Sequence, residues 1–371
     1  MKLNKVLTLT LLILSLVLVS TGVAAAISPT DAAVKALDWL KTQQNDDGGF
    51  GSGFGPGSAV GPSADAVLAI TSSGRDVTAW ATGGASPLDY LRAQASAGKL
   101  TLPGEIAKTI LALVSAGQNP RDFGGHDLIS DLQSQLDTST GLFSFSTYDQ
   151  ALAILAMSNA GEPIPGAAVT ALLGAQTVEG GWAFTGETIA GAADSNTTAL
   201  AVQALVAVGG KDDTGRALDY FRRVQNPDAG WTYQVPSPFG TDTDANSTAL
   251  GAQALLAAGE SLSNWAVSGS DPIGALLALQ NDDGSFSFNA VFSGPNALAT
   301  IQAIPALYGQ TFVRVRVVPA SAAPAVVLLP EAGASLNAPG AALLSAALLS
   351  AALGLALMAA GFLMRRRVRV S

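Results

Sequence analysis

The chain is predicted to be all-α, a succession of six helical hairpins, and three features of the sequence carry that expectation. A glutamine closes a helix-like apolar run six times, at Gln44, Gln94, Gln135, Gln176, Gln225 and Gln280. A short Gly/Asp-rich turn with an aromatic usually follows. The clearest copies run from Gln44 to Phe50, Gln176 to Trp182, Gln225 to Trp231 and Gln280 to Phe286; Gln135 to Phe143 is a longer variant, and Gln94 opens a degenerate one. After each turn comes a second apolar run, rich in small residues and nearly uncharged. Successive glutamines lie 50, 41, 41, 49 and 55 residues apart. At such a period each copy is one supersecondary unit stacked on its neighbours.

The elements follow in order. In the first unit Val34, Leu37 and Leu40 recur at helical spacing behind a cap at Ser28 or Thr30, and in the fifth Ala217, Tyr220, Phe221 and Val224 do the same. A helix with one apolar stripe is peripheral, so these are outer helices. The second runs, 66–70, 106–114, 151–157, 198–208, 248–258 and 297–307, are apolar all round and are therefore inner, buried helices. Gly117, Gly161, Gly209 and Gly259 end several of them, where a left-handed residue closes a helix cheaply. Two longer connections, 75–87 and 260–272, hold Trp80 and Trp265 at matching distances before the next glutamine and read as equivalent surface excursions. Residues 27–310 thus form one body. Beyond it, Thr311 to Val318 fits a short strand, and 311–339 as a whole reads as a Pro/Ala-rich linker.

Both ends carry membrane-directed signals. Lys2 and Lys5, an apolar run from Val6 to Val19 and Ala24 to Ala26 read as a signal peptide, residues 1–26. Residues 340–364 contain no charge and are long enough to cross about 30 Å of hydrocarbon. Arg365, Arg366, Arg367 and Arg369 follow, which places the tail 365–371 in the cytoplasm and the body outside. Leu329-Pro330-Glu331-Ala332-Gly333 ahead of this span resembles the cell-wall sorting signal read by sortases, with Ala332 where a threonine is usual. A single-pass anchor and a cell-wall link both fit the segment, and both end at the cell surface.

Composition narrows the partners. The net charge of −9 disfavours nucleic acid, whose phosphates need clustered Lys and Arg. With no cysteine in the chain, disulfides and thiol chemistry are both excluded, so stability comes from packing.

Glutamine turns of this kind, joining outer to inner helices, resemble those of the terpenoid cyclase and protein prenyltransferase superfamily, an (α/α)6 toroid. The resemblance covers about residues 28–310 and implies a structural role for the repeat: the glutamine bonds near helix ends and stacks on the aromatic. Gln44, Phe50, Gln176, Trp182, Gln225, Trp231, Gln280 and Phe286, with Gln135, then belong to the frame. Three branches are told apart by residue. Protein prenyltransferases hold zinc through Asp, Cys and His, which a chain with no Cys and only His126 cannot reproduce; His126 reads as a surface histidine. Squalene-hopene-type cyclases protonate an alkene with an Asp in D-x-D-D-T-A, a step that needs a neutral, poised acid. Here Asp244-Ala-Asn246-Ser-Thr-Ala249 and Asp194-Ser-Asn196-Thr-Thr-Ala199 put asparagine at that place. The cobalamin carriers, in which the toroid is a non-catalytic half of a binding site, share the character of Ser146-Thr-Tyr148-Asp-Gln150 and of Asp-x-Asn-x-Thr-Ala-Leu.

This leads to a surface-anchored, non-catalytic toroid binding a small ligand, corrinoid-like by resemblance, or a partner. No residue is assigned a catalytic role. The starts of the inner helices share one rim, so Tyr148, Gln150, Asp194, Asn196, Asp242, Asp244, Asn246 and Asn296 are expected to crowd the barrel mouth as ligand-binding candidates. Asp242, Asp244 and Asn246 also have the spacing of half a calcium loop, but the glycine and terminal glutamate positions hold Ser247 and Gln253. Helix capping is the first reading of that segment, and turn formation that of Asn45 to Gly48 and Asn281 to Gly284. Two alternatives stay open: an isoprenoid enzyme using Asp242 or Asp244 as acid, and a structural or adhesion module.

Overall fold

A computed structural model describes residues 27–319 except 53–56 and 239. The expected leader, sorting-like motif, apolar span and basic tail lie outside the described residues. Among the described residues no helix is long and apolar enough to cross a membrane.

Twelve α-helices alternate between an outer and an inner layer among the described residues. The outer ones are α1 (Pro29–Lys41), α3 (Pro87–Ser96), α5 (Leu128–Ser134), α7 (Gly166–Gly174), α9 (Gly215–Val224) and α11 (Pro272–Leu277). The inner ones are α2 (Val60–Ser72), α4 (Pro103–Ser115), α6 (Thr147–Asn159), α8 (Ser195–Ala207), α10 (Ala245–Ala257) and α12 (Ala297–Leu307). Each inner helix packs on the next, and α12 returns to α2, so the six close into a ring. Alanine makes the closeness affordable: Ala107, Ala153, Ala201, Ala252 and Ala303 are fully buried between neighbouring helices. All six inner helices end two residues before a glycine of positive φ, from Gly74 to Gly309.

The turns show why the repeat has its composition. Gln44, Gln176, Gln225 and Gln280 each donate Nε2 to the carbonyl four residues on, at 2.8 to 3.0 Å, closing their own turn. The same side chain then reaches the next unit. Gln44 donates to Trp80 O, Gln225 to Trp265 O, and Gln280 to Ala32 O at 2.9 Å, which joins the sixth unit to the first; Gln176 instead accepts from Arg216. From the inner side, the fourth residue of the following helix accepts the N–H of the turn aromatic: Ser63 from Phe50, Thr198 from Trp182, Thr248 from Trp231 and Thr300 from Phe286, at 2.8 to 3.0 Å. The glycine before the aromatic permits this approach, since a Cβ on Gly230 would stand 3.0 Å from Thr248 Oγ1 and 2.2 Å from Thr243 Cγ2. Asp47, Asp228 and Asp283 accept backbone N–H groups two residues on, which confirms these stretches as turns.

Four expectations need correction. Gln94 lies inside α3 rather than opening a turn. In the third unit the bracket is made by Gln150, not Gln135, which caps α5. Gln150 occupies the fourth position of its inner helix, accepts from Phe143 N at 2.8 Å, and donates to Gly141 O and Ala168 O at 2.9 and 3.0 Å. The two tryptophan excursions are equivalent but not superficial: Trp80 and Trp265 are buried, and their carbonyls accept from Gln44 and Gln225. Residues 311–318 form no strand. They cross the end of the barrel where the inner helices finish, bonding to the orphan carbonyl of Ser115 and to Asn159 and Gln203, with Arg316 reaching Ser72 O.

The bracket's cost of removal is testable. Gln150→Leu leaves the buried Phe143 N–H and the Gly141 carbonyl without this partner, so equilibrium urea unfolding should show a loss of about 3 kcal/mol. Gln94→Ala should stay within about 0.5 kcal/mol of the parent.

Candidate functional site

The inner-helix starts do share one mouth, but they divide the candidate residues into different tasks. Asp194 and Asp244 are 1% and 2% exposed and cap α8 and α10, accepting from Thr197 N and Ser247 N at 2.7 Å. Ser247 Oγ also donates to Asp244 Oδ2 at 2.8 Å. Asp194 Oδ2 lies by the Thr197 and Tyr233 hydroxyls without a hydrogen bond of ordinary geometry. Burial pushes both acids up, Asp194 to about 7 and Asp244 to about 6. Asn296 caps α12 through Ala299 N at 2.9 Å. Asp242 is exposed, and Gln150 belongs to the frame. Asp242, Asp244 and Asn246 therefore do not act as one ligand set, and no group of three or more His, Cys, Asp or Glu side chains converges for a metal among the described residues. His126 sits in a tight turn beside Asp131, half exposed.

Inside the barrel, residues at positions two, six and nine of the inner helices stack in layers, as helical periodicity requires. Asn246, at position two, donates to Gln302 at 2.8 Å; Gln302 donates on to Asp65 at 3.4 Å; and Lys108 bonds the same Asp65 oxygen at 2.8 Å. Lys108 Nζ lies 5.8 Å from the centre of the Tyr148 ring. Burial alone would lower the Lys108 pKa, but the Asp65 charge beside it holds it above the ordinary lysine value. Asp65, Lys108 and Gln302 all stand at position six of adjacent helices. Their signal in the sequence is plain in hindsight: past the first turn, Asp65 and Lys108 are the charges of the inner helices. Leu250 and Ile301 flank this polar layer, Leu68, Leu111 and Pro305 close in below it, and Phe312 from the crossing segment forms the floor. The cavity they leave measures about 20 Å³, room for one water.

The mouth itself carries a second repeat. Two residues after four of the five turn aromatics stands another: Phe145 after Phe143, Phe184 after Trp182, Tyr233 after Trp231 and Phe288 after Phe286. The first residue of the preceding unit's inner helix holds it in place. Thr147 N donates to Phe184 O at 2.8 Å, Ser195 N to Tyr233 O at 2.7 Å and Ala245 N to Phe288 O at 2.9 Å. Phe184 consequently lies over Tyr148, ring centres 6.1 Å apart, and Tyr233 over the Asp194 cap. At Phe145 this tie is impossible, because the corresponding first residue of α4 is Pro103, which has no N–H; Phe145 stands 77% exposed.

No family model matches the chain, and no curated protein matches it in sequence. Solved structures do match in fold. A protein from Actinoplanes is 14% identical with a TM-score of 0.55, covering 76% of this chain and 99% of its own. The type II terpene cyclase MstE from Scytonema, in its apo form, is also 14% identical with a TM-score of 0.55, covering 76% of this chain and 97% of its own. Haptocorrin in complex with Cbi aligns more loosely, at 16% identity and a TM-score of 0.48, covering 78% and 69%. The chain therefore has the α/α toroid fold seen in type II terpene cyclases.

Two outcomes follow for the buried charges. The raised acids favour folding below about pH 4, where folded and unfolded chains are both protonated, and that contribution is lost as pH climbs through about 7; for Asp194 it amounts to at most about 4 kcal/mol. Asp194→Asn keeps a good cap, so between pH 5 and pH 8 its stability should fall less than the parent's, and parallel pH profiles would overturn the assignment. Lys108→Met leaves Asp65 buried without its counter-charge and should cost about 3 to 5 kcal/mol in chemical denaturation.

Proposed function

We propose that the protein is an exported, membrane-tethered, non-catalytic toroid whose barrel mouth is a docking face for a partner. One contrast carries the reading: the barrel interior is filled down to a cavity of about 20 Å³, while apolar side chains stand exposed around the mouth. Phe145, Ile189, Val291 and Phe292 are each more than 60% exposed, and Tyr233 is 40% exposed. Exposed apolar residues gathered on one face mark an interaction surface. A barrel with room for one water favours a partner that binds on the mouth over a corrinoid or isoprenoid held within it.

The cyclase alternative finds less support in the geometry. The asparagine at the acid position, Asn246, has its amide committed to Gln302, and Asp244 is committed to its cap. Asp242 is exposed and does not line the cavity. Export and tethering rest on the sequence of the terminal segments 1–26 and 340–364. Residues 311–319 cross the end of the barrel opposite the mouth.

The docking face can be probed with bis-ANS, a dye that brightens on apolar surface. Binding to the full chain should fall several-fold in Phe145→Ser/Val291→Ser/Phe292→Ser while circular dichroism stays unchanged. Uptake of cobinamide or of a C20 isoprenoid by both proteins in native mass spectrometry would instead place the site inside the barrel. The topology is checked on intact cells: external protease should cleave the body, and protection until the cells are opened would exclude it.

A further inference from the structure

Gln203 and Gln253 stand at position nine of α8 and α10, two inner helices that pack on each other. Leu68, Leu111, Leu155 and Pro305 hold that position on the other four. Both glutamines are buried, at 0% and 1% exposure. Gln203 Oε1 accepts from Phe312 N at 2.7 Å, which fixes the orientation of its amide. Its Nε2 is buried without a hydrogen-bond partner among the described residues, and so is Gln253 Oε1. One layer of the barrel thus leaves over one donor and one acceptor, on adjacent helices. Buried polar atoms are almost always paired, because an unpaired one keeps the full penalty of its desolvation.

The axial cavity reaches the same layer. Gln253 lines it, Phe312 closes it from below, and Asp65, Lys108 and Gln302 border it from above. Gln203 adjoins it through its bond to Phe312. The volume of about 20 Å³ is little more than the ~10 to 15 Å³ that a single water requires, which excludes an organic ligand. Charge narrows the choice further. Asp65 and Lys108 neutralise each other at 2.8 Å, so a cation there would face Lys108 and the Gln203 amide hydrogens, and an anion would face Asp65 and Gln253 Oε1. An apolar guest would leave both amide atoms unsatisfied. Water is uncharged and both donates and accepts, as this pair of atoms demands. We propose that the axial cavity is a binding site for one ordered water, which accepts from Gln203 Nε2 and donates to Gln253 Oε1.

The remaining hydrogen of that water is left for the polar layer, where Asp65 and Gln302 carry acceptor oxygens. The water then joins two parts of the barrel. On one side stands the crossing segment, held at Phe312 by Gln203; on the other runs the chain from Asn246 through Gln302 and Asp65 to Lys108. Linked hydrogen bonds polarise one another, so floor and polar layer become one network.

A high-resolution crystal structure of the full-length protein in detergent tests the site, with parallel crystals soaked in rubidium bromide or pressurised with xenon. One density peak should lie about 2.7 to 3.2 Å from both Gln203 Nε2 and Gln253 Oε1, with no anomalous signal from rubidium, bromide or xenon. Rubidium or bromide in the cavity would make it an ion site, xenon would make it a dry apolar one, and a direct bond between the two amides would remove the bridge. Each of these overturns the proposal. In urea unfolding, Gln203→Met and Gln253→Met should each lower the folding constant about tenfold. The double variant should lose far less than the product of the two, because both ends of the bridge go together. Losses that simply multiply would overturn the proposal, and crystals of the parent decide it where a variant fails to fold.

Discussion

Everything in this molecule depends on a hydrogen-bonded bracket at the outer-to-inner turn. A turn crossing from one helical layer to another buries backbone donors and acceptors that no helix can satisfy, and unsatisfied groups of that kind cost more than most single contacts return. The glutamine amide solves the outer half, and a hydroxyl at the fourth residue of the inner helix solves the inner half. Because each glutamine also reaches the next unit, the bracket couples neighbours as well as closing its own turn. The bond from Gln280 to Ala32 makes the series a closed ring, leaving no exposed first or last inner helix.

The third unit shows that the requirement is chemical and not positional. Gln150, one residue on one helix, supplies both halves of the bracket that two residues supply elsewhere. An amide carries a donor and an acceptor on one group, so the substitution is balanced. It also explains why a residue that looked like ligand chemistry belongs to the frame.

The closed ring has a functional consequence. Its polar layer of Asn246, Gln302, Asp65 and Lys108 is internally paired, and the crossing segment with Phe312 shuts the far end. What the ring cannot pair is its upper edge. The second aromatic of the last three units is held by its backbone, and Phe145 and Tyr233 stand exposed, so the repeat that builds the frame also places aromatic rings at the mouth. At Pro103 the missing N–H releases Phe145 further into solvent.

Sequence by itself determined the class, the number of units and the inner and outer assignment, because periodicity and turn composition are local properties that repeat along the chain; five of the six inner helices start three to six residues before the apolar runs that marked them, because their first turns are built from capping and polar residues. It also marked the frame residues, whose spacing repeats with the fold. Tertiary structure alone decided which polar residues were left over for function. Asp194 and Asp244 look alike as rim acids and as caps, and only the positions of Thr197 and Ser247 show that their oxygens are in use. Asp65, Lys108 and Gln302 lie in different units, so their meeting depends on ring closure, which no local pattern encodes. The same holds for residues 311–318: their composition favours a strand, yet a strand needs a partner, and the chain offers them helix ends instead.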